Sequence, residues 1–244
     1  MADTISISTP AGAMPALGAV PAGVAKGGAV VVQEAFGLTD HIASICDRLA
    51  GAGWSAVAPA LYHRQGSPTF TLAEFDALRS LMGDLTAEGI RADVDAAIGH
   101  LGELVTTDDR IAIVGFCMGG GVALETATRR SLGAAVTFYG GGVAEGRFGF
   151  PPLSDLAPDL RTPWLGLYGD LDKGIPPEQV EDLRAAAAKA PVATEVVRYA
   201  DADHGFNNDD RPDVFAPTAA EDAWRRTLSW FDLYAGPDPA SGPD

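Results

Sequence analysis

The chain has 244 residues, is 47% apolar and carries 17 basic against 33 acidic side chains, which gives a net charge of −16. This negative charge repels phosphate backbones and anionic membrane surfaces, so we expect neither a nucleic-acid partner nor membrane association. No segment approaches the roughly 18 consecutive apolar residues of a membrane span, and two cysteines do not form a disulfide framework. We expect a cytoplasmic protein with two free thiols, as a monomer or small homo-oligomer.

Apolar runs rich in valine, isoleucine and alanine alternate along the chain with segments of helical periodicity. Near the start, Ile5 and Ile7 alternate with polar residues as in an edge strand, and the stretch 10–28 has room for a second. The later runs are 28–33, 54–58, 110–116, 133–139, 163–168 and 193–199. Continuous apolar strands separated by helices predict an α/β fold with a mostly parallel, doubly wound sheet and helices on both faces. We expect one domain over residues 1–235.

Individual side chains predict where several helices begin and which faces they bury. A helix capped by Thr39 or Asp40 places Cys46 toward the core, so that thiol is expected to be structural. Thr86 is expected to cap a second helix, in which Asp93 lies off the apolar stripe. The last helix is predicted over 217–234, with Trp224, Leu228 and Phe231 as its buried face. The final stretch 236–244 has no periodicity and is predicted to be a disordered tail.

A glycine-flanked cysteine at the end of a strand is the clearest chemical feature of the sequence. Residues 115–120 read Gly-Phe-Cys-Met-Gly-Gly, follow the apolar run 111–114 and open a predicted helix. A strand, a tight turn bearing a nucleophile and a helix form a nucleophile elbow, here with cysteine in place of serine. Small neighbours permit the strained backbone at the nucleophile, and the turn aims the next N–H at the same point. We interpret Cys117 as a nucleophile.

Polar residues also follow three other apolar runs, at the sheet edge where open α/β folds bind ligands. These are Glu34, Asp172 and His204. The chain order of nucleophile, acid and base matches the triad of α/β-hydrolases. Asp170 is a second candidate for the acid, but we prefer Asp172 because it precedes the Ile-Pro pair that begins the next element. No His, Cys, Asp or Glu spacing predicts a metal site.

These residues resemble the dienelactone hydrolases, or carboxymethylenebutenolidases, which are cysteine members of the α/β-hydrolase superfamily. The resemblance spans most of the chain. It lies in segment 33–37 (Gln-Glu-Ala-Phe-Gly), segment 59–65 (Pro-Ala-Leu-Tyr-His-Arg-Gln), the elbow, the turn with Asp172 and segment 203–206 (Asp-His-Gly-Phe). It implies hydrolysis of a lactone or small ester without a cofactor.

The resemblance also implies roles for individual residues. Cys117, His204 and Asp172 would form the triad and pass through a thioacyl intermediate, with Glu34 close to the thiol as a fourth member that helps take its proton. The backbone N–H groups of Met118 and Ala35 would form the oxyanion hole.

Substrate contacts are less well defined by the resemblance. Arg79 is expected to match one of two arginines that hold a substrate carboxylate, and Phe36 and Tyr62 are expected to contact substrate. The second arginine has no counterpart in the loop after His204, which argues for a neutral or less anionic substrate. The sequence leaves two alternatives open: an esterase or thioesterase of another metabolite class, and a non-catalytic thiol-sensing or ligand-binding protein.

Overall fold

The computed structural model describes residues 1–104 and 107–237, and eight strands in these ranges form one sheet. Four strands lie in the first quarter of the chain: β1 (Asp3–Thr9), β2 (Gly12–Ala19), β3 (Gly27–Val32) and β4 (Trp54–Pro59). The other four are β5 (Ile111–Phe116), β6 (Ala134–Phe138), β7 (Trp164–Gly169) and β8 (Thr194–Tyr199). Every residue of β3, β4, β5, β6 and β7 is buried, as expected for strands covered on both faces.

The strand order in the sheet is β1-β2-β4-β3-β5-β6-β7-β8. β1 and β2 pair antiparallel, as do β2 and β4, and all later neighbours are parallel. Parallel strands require a crossover between them, which brings their carboxyl ends to the same edge. The residues that follow β3, β5, β7 and β8 therefore meet at one edge of the sheet.

Seven α-helices connect and cover the strands within the described ranges. They are α1 (Asp40–Gly51), α2 (Phe75–Met82), α3 (Ala87–Gly102), α4 (Met118–Arg129), α5 (Leu153–Leu156), α6 (Pro177–Ala187) and α7 (Pro217–Tyr234). Side chains of α1 and α7 pack in one apolar layer, and those of α3, α4 and α6 pack in the other, on the opposite face of the sheet. The predicted α/β fold with a mostly parallel, doubly wound sheet is confirmed.

Two predictions about helix faces are wrong in part. Asp93 is fully buried rather than lying on an exposed face, because Arg64 and His63 bind its carboxylate. In α7, Trp230 is buried together with Phe231, whereas Trp224 and Leu228 are only partly buried, with the Arg48 guanidinium over the Trp224 ring at 3.9 Å. The predicted cap at Thr86 is confirmed by its hydrogen bond from the Gly89 N–H.

The predicted disordered tail falls mostly on residues 238–244, which lie outside the described residues. The single-domain boundary at residue 235 stays a prediction as well.

Cys46 is buried in α1, and burial raises the pKa of its thiol to about 12. This thiol is therefore protonated at neutral pH, in agreement with a structural role.

Candidate active site

The turn between β5 and α4 has the backbone of a nucleophile elbow. Cys117 lies directly between the two elements with φ 53° and ψ −114°, a conformation that side chains rarely adopt. Its N–H donates to the Phe138 carbonyl at 3.0 Å, and its carbonyl accepts from the Gly120 N–H at 3.0 Å. These bonds on both sides hold the strained residue in place, so the sulfur is presented at the edge of the sheet.

Two glycines of the elbow are required by close backbone approach. A Cβ on Gly115 would lie 1.9 Å from the Gly119 carbonyl oxygen, and one on Gly119 would lie 2.3 Å from the Val32 carbonyl oxygen. The elbow therefore packs directly on the end of β3, the strand that precedes Glu34. The glycines permit the strain and also bring the two site segments together.

The imidazole of His204 is oriented by Asp172. His204 Nδ1 lies 2.6 Å from Asp172 Oδ2, and the carboxylate is 4% exposed. The other oxygen, Oδ1, accepts from the N–H groups of Gly174 and Ile175 at 2.8 and 3.2 Å. Asp170 points elsewhere and forms a two-bond ion pair with Arg198. Of the two candidates for the acid of the triad, Asp172 contacts the histidine, whereas Asp170 braces the turn.

The charge environment of His204 favours its protonated form. Burial alone lowers the pKa of the imidazole, but the negative charge of the Cys117 sulfur and the bond to Asp172 oppose it. The balance raises the pKa of His204 well above its usual value. The sulfur, imidazole and carboxylate are therefore electrostatically coupled.

Glu34 is held in the same site by two side chains that are distant in sequence. Its carboxylate is 2% exposed and accepts from Asn208 Nδ2 at 2.8 Å and from the Tyr139 hydroxyl at 3.3 Å. Burial, followed by the charges of Glu34 and Cys117, raises the pKa of Tyr139, which keeps its hydroxyl a donor. The Tyr139 ring also packs on the His204 ring, with centroids 5.1 Å apart. Tyr139 therefore contacts both Glu34 and the predicted base.

The backbone N–H groups of Met118 and Ala35, the predicted oxyanion hole, have no acceptor among the described residues. The N–H of Met118 belongs to the first residue of α4, where an intrahelical acceptor is absent. Within residues 1–104 and 107–237, the N–H of Ala35 donates to no acceptor. The buried hydroxyl of Tyr62 donates to the Ala35 carbonyl at 2.8 Å and lies 3.8 Å from Met118 Sδ. Tyr62 thus braces both residues of the predicted oxyanion hole.

A surface cleft of about 530 Å³ opens beside Glu34. Phe36, a predicted substrate contact, lies on its wall. Tyr62 and Arg79 are not among the lining residues: Tyr62 is buried behind the oxyanion hole, and Arg79 is exposed on α2. Arg211 lines the cleft and is the one arginine or lysine among its described lining residues.

Sequence reasoning missed Tyr139 and gave Asn208 too small a role. Tyr139 directly follows β6, so it satisfies the same positional criterion that selected Glu34 and Asp172, but an aromatic residue at the end of an apolar run reads as core. Asn208 carries a weaker signal, its place four residues after His204. Neither residue could have been matched to Glu34 without the tertiary structure.

Comparison with known proteins identifies the family. A family model described as "Dienelactone hydrolase family" matches residues 14–235. The chain belongs to the dienelactone hydrolase family. The chain is therefore a hydrolase that acts on esters or lactones, and its α/β-hydrolase fold agrees with this assignment.

The relatives that support this membership cover nearly the whole molecule. A protein of Escherichia coli O157:H7 named as a carboxymethylenebutenolidase is 40% identical over 213 residues, which are 85% of this chain and 77% of the relative. A protein of Methylorubrum extorquens with the same name is 36% identical over 243 residues, 96% of this chain and 81% of the relative. The crystal structure of a Klebsiella pneumoniae protein named as a dienelactone hydrolase has a TM-score of 0.87 at 36% identity, covering 96% of this chain and 99% of that one.

Among the described residues, no group of three His, Cys, Asp or Glu side chains could hold a metal ion. No helix in the same part of the chain is long and apolar enough to cross a membrane.

Proposed function

We propose that this dienelactone hydrolase-family protein is a cysteine hydrolase that cleaves a lactone or small ester through a thioacyl intermediate on Cys117. The observation that carries the proposal is the 2.6 Å contact between His204 Nδ1 and Asp172 Oδ2, with the elbow cysteine electrostatically coupled to the same imidazole. An oriented imidazole beside a strained nucleophile is the arrangement that acyl transfer requires. The names of the relatives support an ester or lactone as substrate.

Acylation begins with attack of the Cys117 thiolate on the carbonyl carbon. The carbon–sulfur bond forms, and the carbonyl oxygen becomes an oxyanion that the N–H groups of Met118 and Ala35 stabilise. The tetrahedral intermediate then collapses, the carbon–oxygen bond breaks, and the His204 imidazolium gives its proton to the leaving oxygen. With a lactone the released hydroxyl stays attached to the acyl group.

Deacylation uses the same imidazole as a base. Acylation removes the negative charge from sulfur, and this charge is the largest cause that raises the pKa of His204. The pKa of His204 therefore falls in the acyl-enzyme, so the neutral ring can take a proton from water as the water attacks the thioester. Collapse of the second intermediate releases the acid and returns the thiolate. Each step thus sets the protonation state that the next step needs.

Glu34 is proposed to act on the thiol rather than on the substrate. Asn208 and Tyr139 hold both of its oxygens, and when substrate arrives Glu34 takes the proton of the Cys117 thiol, which forms the attacking thiolate. After deacylation Glu34 returns this proton to the sulfur. Tyr62 is proposed as a positioning residue for the oxyanion hole, because its hydroxyl binds the Ala35 carbonyl.

The test of this proposal is a pair of cysteine variants. Cys117→Ala is expected to remove hydrolysis of p-nitrophenyl acetate, by at least about 10³-fold, because the nucleophile is lost. Cys46→Ala is the matched control and is expected to retain activity, since Cys46 is buried in α1. Mass spectrometry of the wild-type protein quenched during turnover is expected to find acetyl on Cys117 and none on Cys46. Normal turnover by a folded Cys117→Ala variant would refute the mechanism.

A further inference from the structure

The walls of the 530 Å³ cleft beside Glu34 combine aromatic and acidic side chains. Two phenylalanines, Phe36 and Phe70, line it, and the Phe70 N–H donates to the Phe36 carbonyl at 2.9 Å, which ties the two wall segments together. The cleft volume is in the range that holds a small organic molecule. Its position next to a proposed catalytic carboxylate makes it the place where the non-reacting part of a substrate would lie.

The charges of this cleft are strongly unbalanced. Four carboxylates line it, against one guanidinium: Glu34, Asp40, Asp210 and Asp213 against Arg211. Glu34 is occupied by its two hydrogen bonds, and Arg211 Nη2 donates to Asp213 at 3.3 Å. Within residues 1–104 and 107–237, Asp40 and Asp210 form no ion pair, and both are exposed to the solvent of the cleft. The uncompensated charge at this wall is therefore negative.

We propose that this cleft selects esters or lactones by charge, preferring a substrate with a cationic nitrogen and disfavouring one with a carboxylate. The inference rests on the proposed function and specifies the substrate class of the same site. A quaternary or protonated nitrogen gains from the carboxylates of Asp40 and Asp210 and from the faces of aromatic rings such as Phe36 and Phe70. A carboxylate in the same place meets like charges, in a protein whose net charge is −16.

Arg211 is the residue through which this cleft could instead bind an anionic substrate. Its Nε is buried without an acceptor in the described part of the chain, and its guanidinium contacts Asp213 on one side only. If a substrate carboxylate displaced Asp213 from Arg211, an anionic ester would be the best substrate and the proposed preference would be reversed. Because the paired Arg211–Asp213 unit is neutral as a whole, we expect the free carboxylates to dominate.

The experiment compares three p-nitrophenyl esters that share a leaving group. They are the ester of γ-(trimethylammonio)butyrate, its neutral isostere with carbon in place of nitrogen, and the monoester of glutarate. At low ionic strength, kcat/KM is expected to fall in that order, by about tenfold at each step, and the differences are expected to shrink with added salt. A glutarate monoester that is the best substrate, and that loses this rank in Arg211→Gln, would overturn the proposal.

Variants locate the preference in the cleft. Asp40→Asn combined with Asp210→Asn is expected to lower the ratio of kcat/KM for the cationic ester to that for the anionic ester by about tenfold. The control changes the net charge equally at exposed carboxylates away from the cleft, Asp155→Asn with Asp182→Asn, and is expected to leave the ratio and the activity unchanged. An equal change in both double variants would assign the effect to net charge and refute the proposal.

A binding measurement separates this proposal from the catalytic one. If the esters are not hydrolysed, or if Cys117→Ala hydrolyses them at the normal rate, the proposed mechanism fails, while charge selection remains testable. Calorimetry with the corresponding three anilides and the Cys117→Ala protein measures their affinities directly. The same order of affinity, cationic above neutral above anionic, supports the charge preference, and an equal or reversed order overturns it.

Discussion

His204 contacts Asp172 and is electrostatically coupled to Cys117, and its protonation is the residue-scale property on which the proposed mechanism depends. Asp172 contacts Nδ1 at 2.6 Å, whereas the charge on Cys117 changes during the proposed reaction. The permanent partner orients the ring, and the variable partner alters its basicity. One imidazole can therefore serve first as an acid and then as a base without moving far.

This coupling predicts a measurable shift in Cys117→Ala. Burial lowers the pKa of His204, but the other causes outweigh burial and raise this pKa above its ordinary value. The charge on the Cys117 sulfur is the largest of the causes that raise it. Removing the sulfur destabilises the imidazolium, so the pKa of His204 is expected to fall, with burial and Asp172 left to oppose each other. NMR titration of the ring resonances in wild type and variant measures this difference. An unchanged or higher pKa in the variant would contradict the coupling.

At the scale of elements, the segment between β4 and α3 forms one wall of the cleft and is tied down by Asp93. This carboxylate on α3 binds the guanidinium of Arg64 at 2.7 and 2.9 Å and His63 Nε2 at 3.1 Å. The same segment continues to Phe70, which pairs with the backbone of Phe36. The buried ion pair thus positions a cleft wall as well as contributing to stability.

Loss of Asp93 is predicted to destabilise the protein more than loss of its neighbour on the same helix. Asp93→Ala leaves a buried imidazole and a guanidinium without an acceptor, so the free energy of unfolding is expected to fall by about 2–3 kcal/mol. Asp95 pairs with Arg129 near the surface, so Asp95→Ala is expected to cost less than about 1 kcal/mol. Urea denaturation of both variants measures the difference, and similar losses would show that burial of Asp93 is unimportant.

At the scale of the whole molecule, the apolar layer that α1 and α7 share ends at Ala235, directly after α7. The remaining residues are rich in glycine, proline and aspartate and offer little apolar surface to bury. Stability and catalysis should therefore be properties of the preceding domain.

Truncation after Pro237 is predicted to leave the protein intact. We expect the midpoint of thermal unfolding and the rate of p-nitrophenyl acetate hydrolysis to match those of the full chain, because Phe231 and Ala235 complete the apolar layer. Truncation after Thr227 is the contrasting control, since it removes buried Trp230 and Phe231 and is expected to prevent folding. A large loss of stability in the shorter deletion would show that the last residues belong to the domain.

Much of the fold could be predicted because its signals are local. Continuous apolar runs define the parallel strands. Thr86 marks the start of α3 because its hydroxyl accepts from the N–H of Gly89, only three residues along the chain. The burial of Asp93 could not be predicted, because a charged residue on a helix is normally exposed and its partners come from another segment. The same limit applies to Tyr62, whose hydroxyl contacts residues 27 and 56 positions away.

The sequence by itself determined the α/β fold, the elbow at Cys117 and the order of the proposed nucleophile, acid and base, because steric limits on glycine and strand periodicity act over a few residues. Only the tertiary structure decided that Tyr139 and Asn208 hold Glu34, across separations of 105 and 174 residues. The acidic character of the cleft also comes from the tertiary structure. Its carboxylates lie on two segments distant in sequence, 34–40 and 210–213, and they act together because parallel strands bring those segments to the same edge of the sheet.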